Sequence, residues 1–249
     1  MTEPDSIFAD PRLARLYDPL EDDRGDLDVY TAMVHEFGAC SVVDVGCGTG
    51  ELAVRLVRAS ADWRRSMSVI GMDPASASLD IARTKPGAEQ VRWVTGTAAD
   101  AARSITDVDL VVMTGNVAQV FITDDDWAQT LRAVRSMLAA DGSFVFETRD
   151  PAKRAWEHWS GDGRRSVAQV DGVGTVESWI EVTDVSLPLV TFDAWFRFDD
   201  DELLCSTSTL RFRDQPEIEA SLADAGLAVR EVRDAPDRPG FEFVVVAEP

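Results

Sequence analysis

The sequence predicts a doubly wound, mostly parallel, seven-stranded α/β sheet with an antiparallel β insertion after the fifth strand. Three observations predict it. Strand-like and helix-like segments alternate from Val42 to Thr148. A glycine turn, Gly46-Cys47-Gly48-Thr49-Gly50, joins the first strand of that series to its first helix. After Pro151 the helical pattern stops and only strand patterns follow to Phe212, before one helix and two strands close the chain.

Residues 1–40 read as an acidic helical leader, or lid, over the open end of the sheet, with Tyr17 and Tyr30 on it. Strands are expected at Val42–Val45, Met67–Met72, Val91–Thr95, Leu110–Met113 and Ser143–Thr148, and helices at Glu51–Ala59, Ser76–Arg83, Ala98–Ser104 and Asp124–Ala140. The last helix is the clearest, because Trp127, Leu131, Val134 and Leu138 recur at helical spacing and Asp141-Gly142 ends it. Residues 165–213 read as the antiparallel insertion, an acceptor-binding or dimerisation element. A helix at Glu217–Ala225 stops at Gly226, and strands Ala228–Val232 and Phe241–Ala247 add an antiparallel pair to the sheet. All 249 residues are expected to form one domain.

Lys and Arg number 24 against 45 Asp and Glu, a net charge of −21, which argues against nucleic acid as a partner. The basic groupings Arg64-Arg65 and Arg164-Arg165 are too short to reverse that. No apolar run has membrane-spanning length, and Thr2-Glu3-Pro4-Asp5 is no secretory signal. Cys40, Cys47 and Cys205 have no metal-ligand spacing, and His35 and His158 are the only histidines. The expectation is a cytoplasmic protein with free thiols and no metal.

In an open α/β sheet, ligands sit beyond the carboxyl ends of the strands. Asp44 precedes the glycine turn by two residues, within reach of an ammonium directly or through the loop amides; bracing the turn is its alternative role. Asp73, in Met72-Asp73-Pro74, ends the second strand, where an acid can accept both hydroxyls of a ribose; capping the next helix is the competing role.

The spacing Asp44-x-Gly46-x-Gly48-x-Gly50 resembles the first motif of the class I S-adenosylmethionine-dependent methyltransferases of small-molecule type. It departs from the dinucleotide pattern, whose third glycine would fall on Glu51. Val69-Ile70-Gly71-Met72-Asp73 resembles their ribose-binding strand, Asp109–Asn116 the strand and loop near the methyl donor, and Leu222–Leu227 their closing helix. The resemblance implies a Rossmann-like fold with S-adenosylmethionine as cofactor. It implies that Asp44, Gly46, Cys47, Gly48 and Gly50 cradle the methionyl part, that Asp73 holds the ribose and that Pro74 also meets the cofactor. Thr97 and Ala98 would meet the adenine, with Asp100 as a substitute for Thr97. Thr114, Gly115, Asn116 and Gln119 would flank the donor, and Tyr17 and Tyr30 would close over its methionine end. The loop Thr114-Gly115-Asn116-Val117 lacks the Asn/Asp-Pro-Pro-aromatic signature of nucleic-acid amino-methylating enzymes. Together with the acidic charge, this points to a small-molecule acceptor.

Within the insertion, Val190, Phe192, Ala194, Phe196 and Phe198 alternate with Thr191, Asp193, Trp195 and Arg197. Val176, Ile180 and Val182 alternate likewise with Glu177, Trp179 and Glu181. The main domain or the partner subunit of a homodimer must cover the oily face. On the mixed face, Trp179, Trp195, Glu177 and Glu181 form a candidate wall for a flat or cationic acceptor. His158 is the candidate base. The expected function is methyl transfer to a small amine or hydroxyl compound. The alternatives are an NAD(P)-dependent oxidoreductase and a non-catalytic S-adenosylmethionine-binding protein.

Overall fold

The computed structural model describes residues 3–21, 24–63, 66–161 and 164–249, so Arg64 and Arg65 of the first basic grouping lie outside the described residues. The leader forms α1 (Ser6–Ala9), α2 (Pro11–Leu20) and α3 (Asp26–Glu36). The alternating part follows as β1 (Ser41–Val45), α4 (Glu51–Asp62), β2 (Ser68–Asp73), α5 (Ser76–Ala82), β3 (Val91–Thr95), α6 (Ala98–Ala101), β4 (Val108–Met113), α7 (Asp124–Met137) and β5 (Leu138–Arg149). The insertion is β6 (Ser166–Val170), β7 (Gly174–Ser186), β8 (Leu189–Phe198) and β9 (Leu203–Arg211). The chain closes with α8 (Gln215–Asp224), β10 (Ala228–Asp234) and β11 (Glu242–Glu248).

The main sheet has the order β10-β11-β5-β4-β1-β2-β3. β1 pairs in parallel with both β2 and β4, so strand order reverses beside it and opens a crevice at its carboxyl end. β11 runs antiparallel to β5, and β10 antiparallel to β11, as the long closing hairpin requires. This is a mostly parallel, Rossmann-like α/β sheet.

Side-chain alternation sorts β1 between two cores. Val43 and Val45 pack with Trp127, Leu131 and Val134 of α7 and with Ile218 and Leu222 of α8. Val42 packs on the other side with Leu27 and Tyr30 of α3 and Leu52 and Leu56 of α4. Asp44 shares the parity of Val42, so its carboxylate lies on the α3–α4 side at the open end of the strand. The helix expected to reach Ala140 ends at Met137, because Leu138 pairs with Val108 and is drawn into β5 before a bulge. α6 is a single turn, capped by Thr97, and stops short of Ser104.

The four-stranded insertion sheet has the order β6-β7-β8-β9. Its oily face is covered by the chain itself. Val176, Ala194 and Phe196 pack against Leu13 and Leu16 of α2, and Val190 packs against Trp156 and Phe212. Leu13 and Leu16 are almost wholly buried there, each stabilising the contact by about 2 kcal/mol. A partner subunit is not needed to cover this face. Among the described residues, no helix is long and apolar enough to cross a membrane.

Candidate cofactor site

A cavity of about 380 Å3 opens at the carboxyl ends of β1, β2 and β4. Its floor is the glycine turn. The amides of Gly46 and Cys47 both donate to Met72 O, at 2.9 and 3.0 Å, and Gly50 N donates to Cys47 O at 2.8 Å, folding the turn against the end of β2. Gly46, Gly48 and Gly50 all have positive φ, which favours glycine at each. Gly48 N donates to Asp73 Oδ2 at 2.8 Å, fastening the turn to the second strand.

Asp44 lines this cavity at 1% exposure, and its Oδ1 has no hydrogen-bond partner. The amides of Gly46, Cys47, Gly48 and Gly50 are engaged elsewhere, so these amides leave the carboxylate uncompensated. Burial, reinforced by the charge of Asp73 and only partly offset by Arg24, pushes its pKa up to about 7. A buried carboxylate of this kind is costly unless a positive group completes it.

Asp73 accepts Gly48 N on one oxygen and Ala75 N on the other, both at 2.8 Å. Each oxygen keeps lone-pair capacity for a hydroxyl. Burial raises its pKa, and the two amides pull it back down. The N-cap of α5 is Ala75, so Asp73 braces the segment before the helix while still facing the cavity.

The same cavity is lined by Cys47 and Pro74, by Thr97 and Ala98 after β3, by Thr114 and Gly115 after β4, and by Tyr17 of α2. Thr97 Oγ1 donates to Asp100 Oδ2 at 2.9 Å and accepts Asp100 N at 3.2 Å, a capping box that leaves the hydroxyl one spare lone pair.

Several candidate residues stand outside the cavity. Gly50 caps α4, packed against Trp93 and Ala82. Tyr30 is buried and donates its hydroxyl to Glu147 Oε2. Asn116 turns away on a left-handed residue and gives its side-chain amide to Glu242 at 3.0 Å. Gln119 is wholly buried, accepting from Arg149 at 2.9 Å. His158 is exposed and meets the edge of Phe241 at 6.3 Å.

The proposed acceptor wall also lies elsewhere. Trp179 and Trp195 stack on each other at 6.2 Å on the mixed face of β7 and β8, with Arg165 over Trp179 at 4.2 Å. Glu177 is paired with Arg165 and Arg197, and Glu181 accepts from Trp179 Nε1. Glu177, Glu181 and Trp179 are thus engaged within the insertion, while Trp195 Nε1 is buried without a hydrogen-bond partner. The insertion instead reaches the cavity through Thr207 and Thr209 of its edge strand β9.

Residues the sequence reading passed over also line the space. Phe8 packs on Tyr17 at 5.6 Å, and Arg24 is held by Asp26 at 3.2 Å. Arg24 had a signal, as a cation set among Glu21, Asp22, Asp23 and Asp26 of the acidic leader. Glu147, below Gly115, had one too: like Asp44 and Asp73, it is an acid at the end of an apolar strand.

A family model described as a methyltransferase domain matches residues 42–142, the stretch that builds this cavity. Residues 42–142 thus carry the likeness to methyltransferases. A protein of Geobacillus sp. (strain WCH70), named as a methyltransferase, is 30% identical over 122 residues, 47% of this chain and 45% of that one. The chain thus spans less than half the length of that relative. Among solved structures, an S-adenosylmethionine-dependent methyltransferase from Clostridium acetobutylicum ATCC 824 superposes with TM-score 0.72 at 18% identity, covering 95% of this chain and 97% of that one. A sugar N-methyltransferase from Streptoalloteichus sp. ATCC 53650 gives 0.73 at 20% identity, covering 94% and 92%. An amino pentose methyltransferase from Micromonospora echinaspora, solved with S-adenosylmethionine bound, gives 0.68 at 19%, covering 93% and 94%. At these identities the structural likeness concerns the fold.

S-adenosylmethionine is named for two of these structural neighbours, and the residues present here would fit it. The unpartnered Oδ1 of Asp44 suits an ammonium, the spare lone pairs of Asp73 suit a ribose, and the space above Gly48 holds no other protein atom within 4 Å of an added Cβ. Among the described residues, no cluster of His, Cys, Asp and Glu could hold a metal ion.

Proposed function

We propose that the chain transfers a methyl group from S-adenosylmethionine to a small-molecule amine or hydroxyl acceptor. The observation that carries this is the pairing of Asp44, buried with an unsatisfied oxygen, with Asp73 across one glycine turn. Asp44 would hold the donor's ammonium. Asp73 would hold the ribose, Pro74 and Ala98 would pack on the adenine, and Thr97 would accept from its amino group. Tyr17 and Phe8 would exclude water from the methionine end. Bound there, the donor supplies a methyl on a positively charged sulfur, which an acceptor lone pair takes while the S–C electron pair stays on sulfur and an acceptor proton passes to solvent. The chain's own task is then placement and dehydration of the acceptor.

A nicotinamide dinucleotide is disfavoured by Glu51. It opens α4 where a pyrophosphate would sit, lines the cavity, and holds Lys85 at 3.0 Å as its own counter-ion. A small-molecule acceptor agrees with the charge of −21 and with the sugar and amino pentose acceptors named for two structural neighbours.

Calorimetric titration with S-adenosylhomocysteine and, separately, with NADH tests the cofactor. Saturable binding of the first alone is expected; binding of NADH alone would overturn the reading. Transfer of labelled methyl from S-adenosylmethionine to a panel of amines and hydroxyl compounds then separates an enzyme from a protein that only binds the cofactor.

A further inference from the structure

A second chamber of about 310 Å3 adjoins the first, and Tyr17, Arg24 and Gly115 line both. Its other walls come from Glu21 and Asp26 in the leader, Asn116 and Glu147 at the ends of β4 and β5, and Asp237 and Arg238 in the β10–β11 connection. Its size is in the usual range for a small-molecule site.

Its cations are already matched. Arg24 pairs with Asp26, and the buried Glu242 takes Arg149 at 3.1 Å and Arg238 at 2.7 Å. Glu147 accepts Tyr30 Oη and the amides of Gly115 and Asn116. An incoming anion would therefore have to compete with the carboxylates already paired to these cations.

What the chamber lacks is a donor. Asn116, 3% exposed, has an Oδ1 without any hydrogen-bond partner. Its amide cannot be reversed to cure this, because Nδ2 must face the Glu242 carboxylate. Glu21 adds a carboxylate at the solvent edge.

We propose that this chamber binds the methyl acceptor and that it selects a hydroxylated amine, with the Asn116 side-chain oxygen and the Glu21 carboxylate taking the ligand's N–H and O–H donors. The inference rests on the donor reading of the first cavity. It moves acceptor recognition from the tryptophan pair of β7 and β8 to the carboxyl ends of β4 and β5.

The test is calorimetric titration of the full chain, saturated with S-adenosylhomocysteine, with glucosamine, N-acetylglucosamine and glucuronate as cationic, neutral and anionic probes on one ring. Glucosamine is expected to bind at least about tenfold more tightly than either comparator, as one charge-assisted hydrogen bond implies. Glu21→Gln, an exposed change that leaves the fold unstressed, and Asn116→Ala are each expected to weaken glucosamine by about tenfold without moving the S-adenosylhomocysteine affinity. Equal binding of the three probes, preference for glucuronate, or unaltered glucosamine affinity in Glu21→Gln overturns the proposal. Failure of the wild type to bind glucosamine while it still binds S-adenosylhomocysteine sinks the acceptor site alone. Failure of S-adenosylhomocysteine to bind the wild type sinks the donor reading.

Discussion

Asp73 accepts the amide of Gly48 across 25 residues of sequence, at 2.8 Å, so the group assigned to the ribose also pins the glycine turn. Asp73→Ala is therefore expected to do two things. Gly48 N and Ala75 N lose their acceptor, at about 1–3 kcal/mol for each orphaned amide. Affinity for S-adenosylhomocysteine falls by about a hundredfold as two hydroxyl contacts to an ionised acceptor disappear. Asp73→Asn, which keeps one acceptor oxygen, should lie between wild type and alanine on both scales. Thermal melts and calorimetry read the two effects separately, and an unchanged affinity in Asp73→Ala would remove the ribose role.

The three turn glycines should divide by function. A Cβ on Gly50 would sit 2.4 Å from Trp93 Cη2 and 2.8 Å from Ala82 Cβ, and the Trp93 ring is tethered by its Nε1 to Ala88 O at 3.0 Å. Gly50→Ala is expected to cost roughly 3 kcal/mol through that clash and its left-handed backbone. A Cβ on Gly48 meets no protein atom within 4 Å, so Gly48→Ala should cost only about 1 kcal/mol while its methyl occupies cavity space and weakens the donor. Melting temperature should fall more for Gly50→Ala, and S-adenosylhomocysteine affinity more for Gly48→Ala.

His158 should prove dispensable. It is exposed, packs on Phe241, and lines neither chamber. His158→Ala is expected to keep both donor binding and turnover within about twofold, the range of a surface substitution. Turnover abolished with donor binding intact would return it to the mechanism as a base.

The sheet and its order of elements were legible because the signals are local: β-branched runs, helical spacing and a glycine turn that has few other uses. The cofactor side was legible for the same reason, since Asp44, Gly48 and Asp73 lie at strand ends whose position the fold dictates. The acceptor side was not. Period-two alternation correctly put Trp179 and Trp195 on one face of the insertion, but alternation cannot say which edge of a sheet meets the site. The edge that does is β9, through Thr207 and Thr209. Tyr30, Asn116 and Gln119 were drawn toward the donor by motif position. The structure spends them on a buried polar network through Glu147, Glu242 and Arg149, whose members are far apart in sequence. Helix ends shifted for a comparable reason, as when pairing with Val108 took Leu138 into β5.

Asp44 makes the stability of the fold and the binding of the donor sensitive to pH. Its pKa rises from 3.8 to about 7 because burial disfavours the charged form, with Asp73 adding repulsion. A carboxylate raised in the folded state favours folding below its unfolded value and loses that advantage as pH climbs through the folded one. The span from 3.8 to about 7 corresponds to about 4 kcal/mol of destabilisation at pH 8. Asp44→Asn should therefore melt higher than wild type without ligand, by a margin that grows from about pH 4 to pH 7 and then levels. The donor's ammonium needs the ionised form, so wild-type affinity for S-adenosylhomocysteine should fall by up to about tenfold for each pH unit below 7. Asp44→Asn should bind it weakly with no such slope. Parallel calorimetric titrations between about pH 5.5 and 8 decide the matter. A flat wild-type profile would mean that Asp44 is not the group that meets the ammonium.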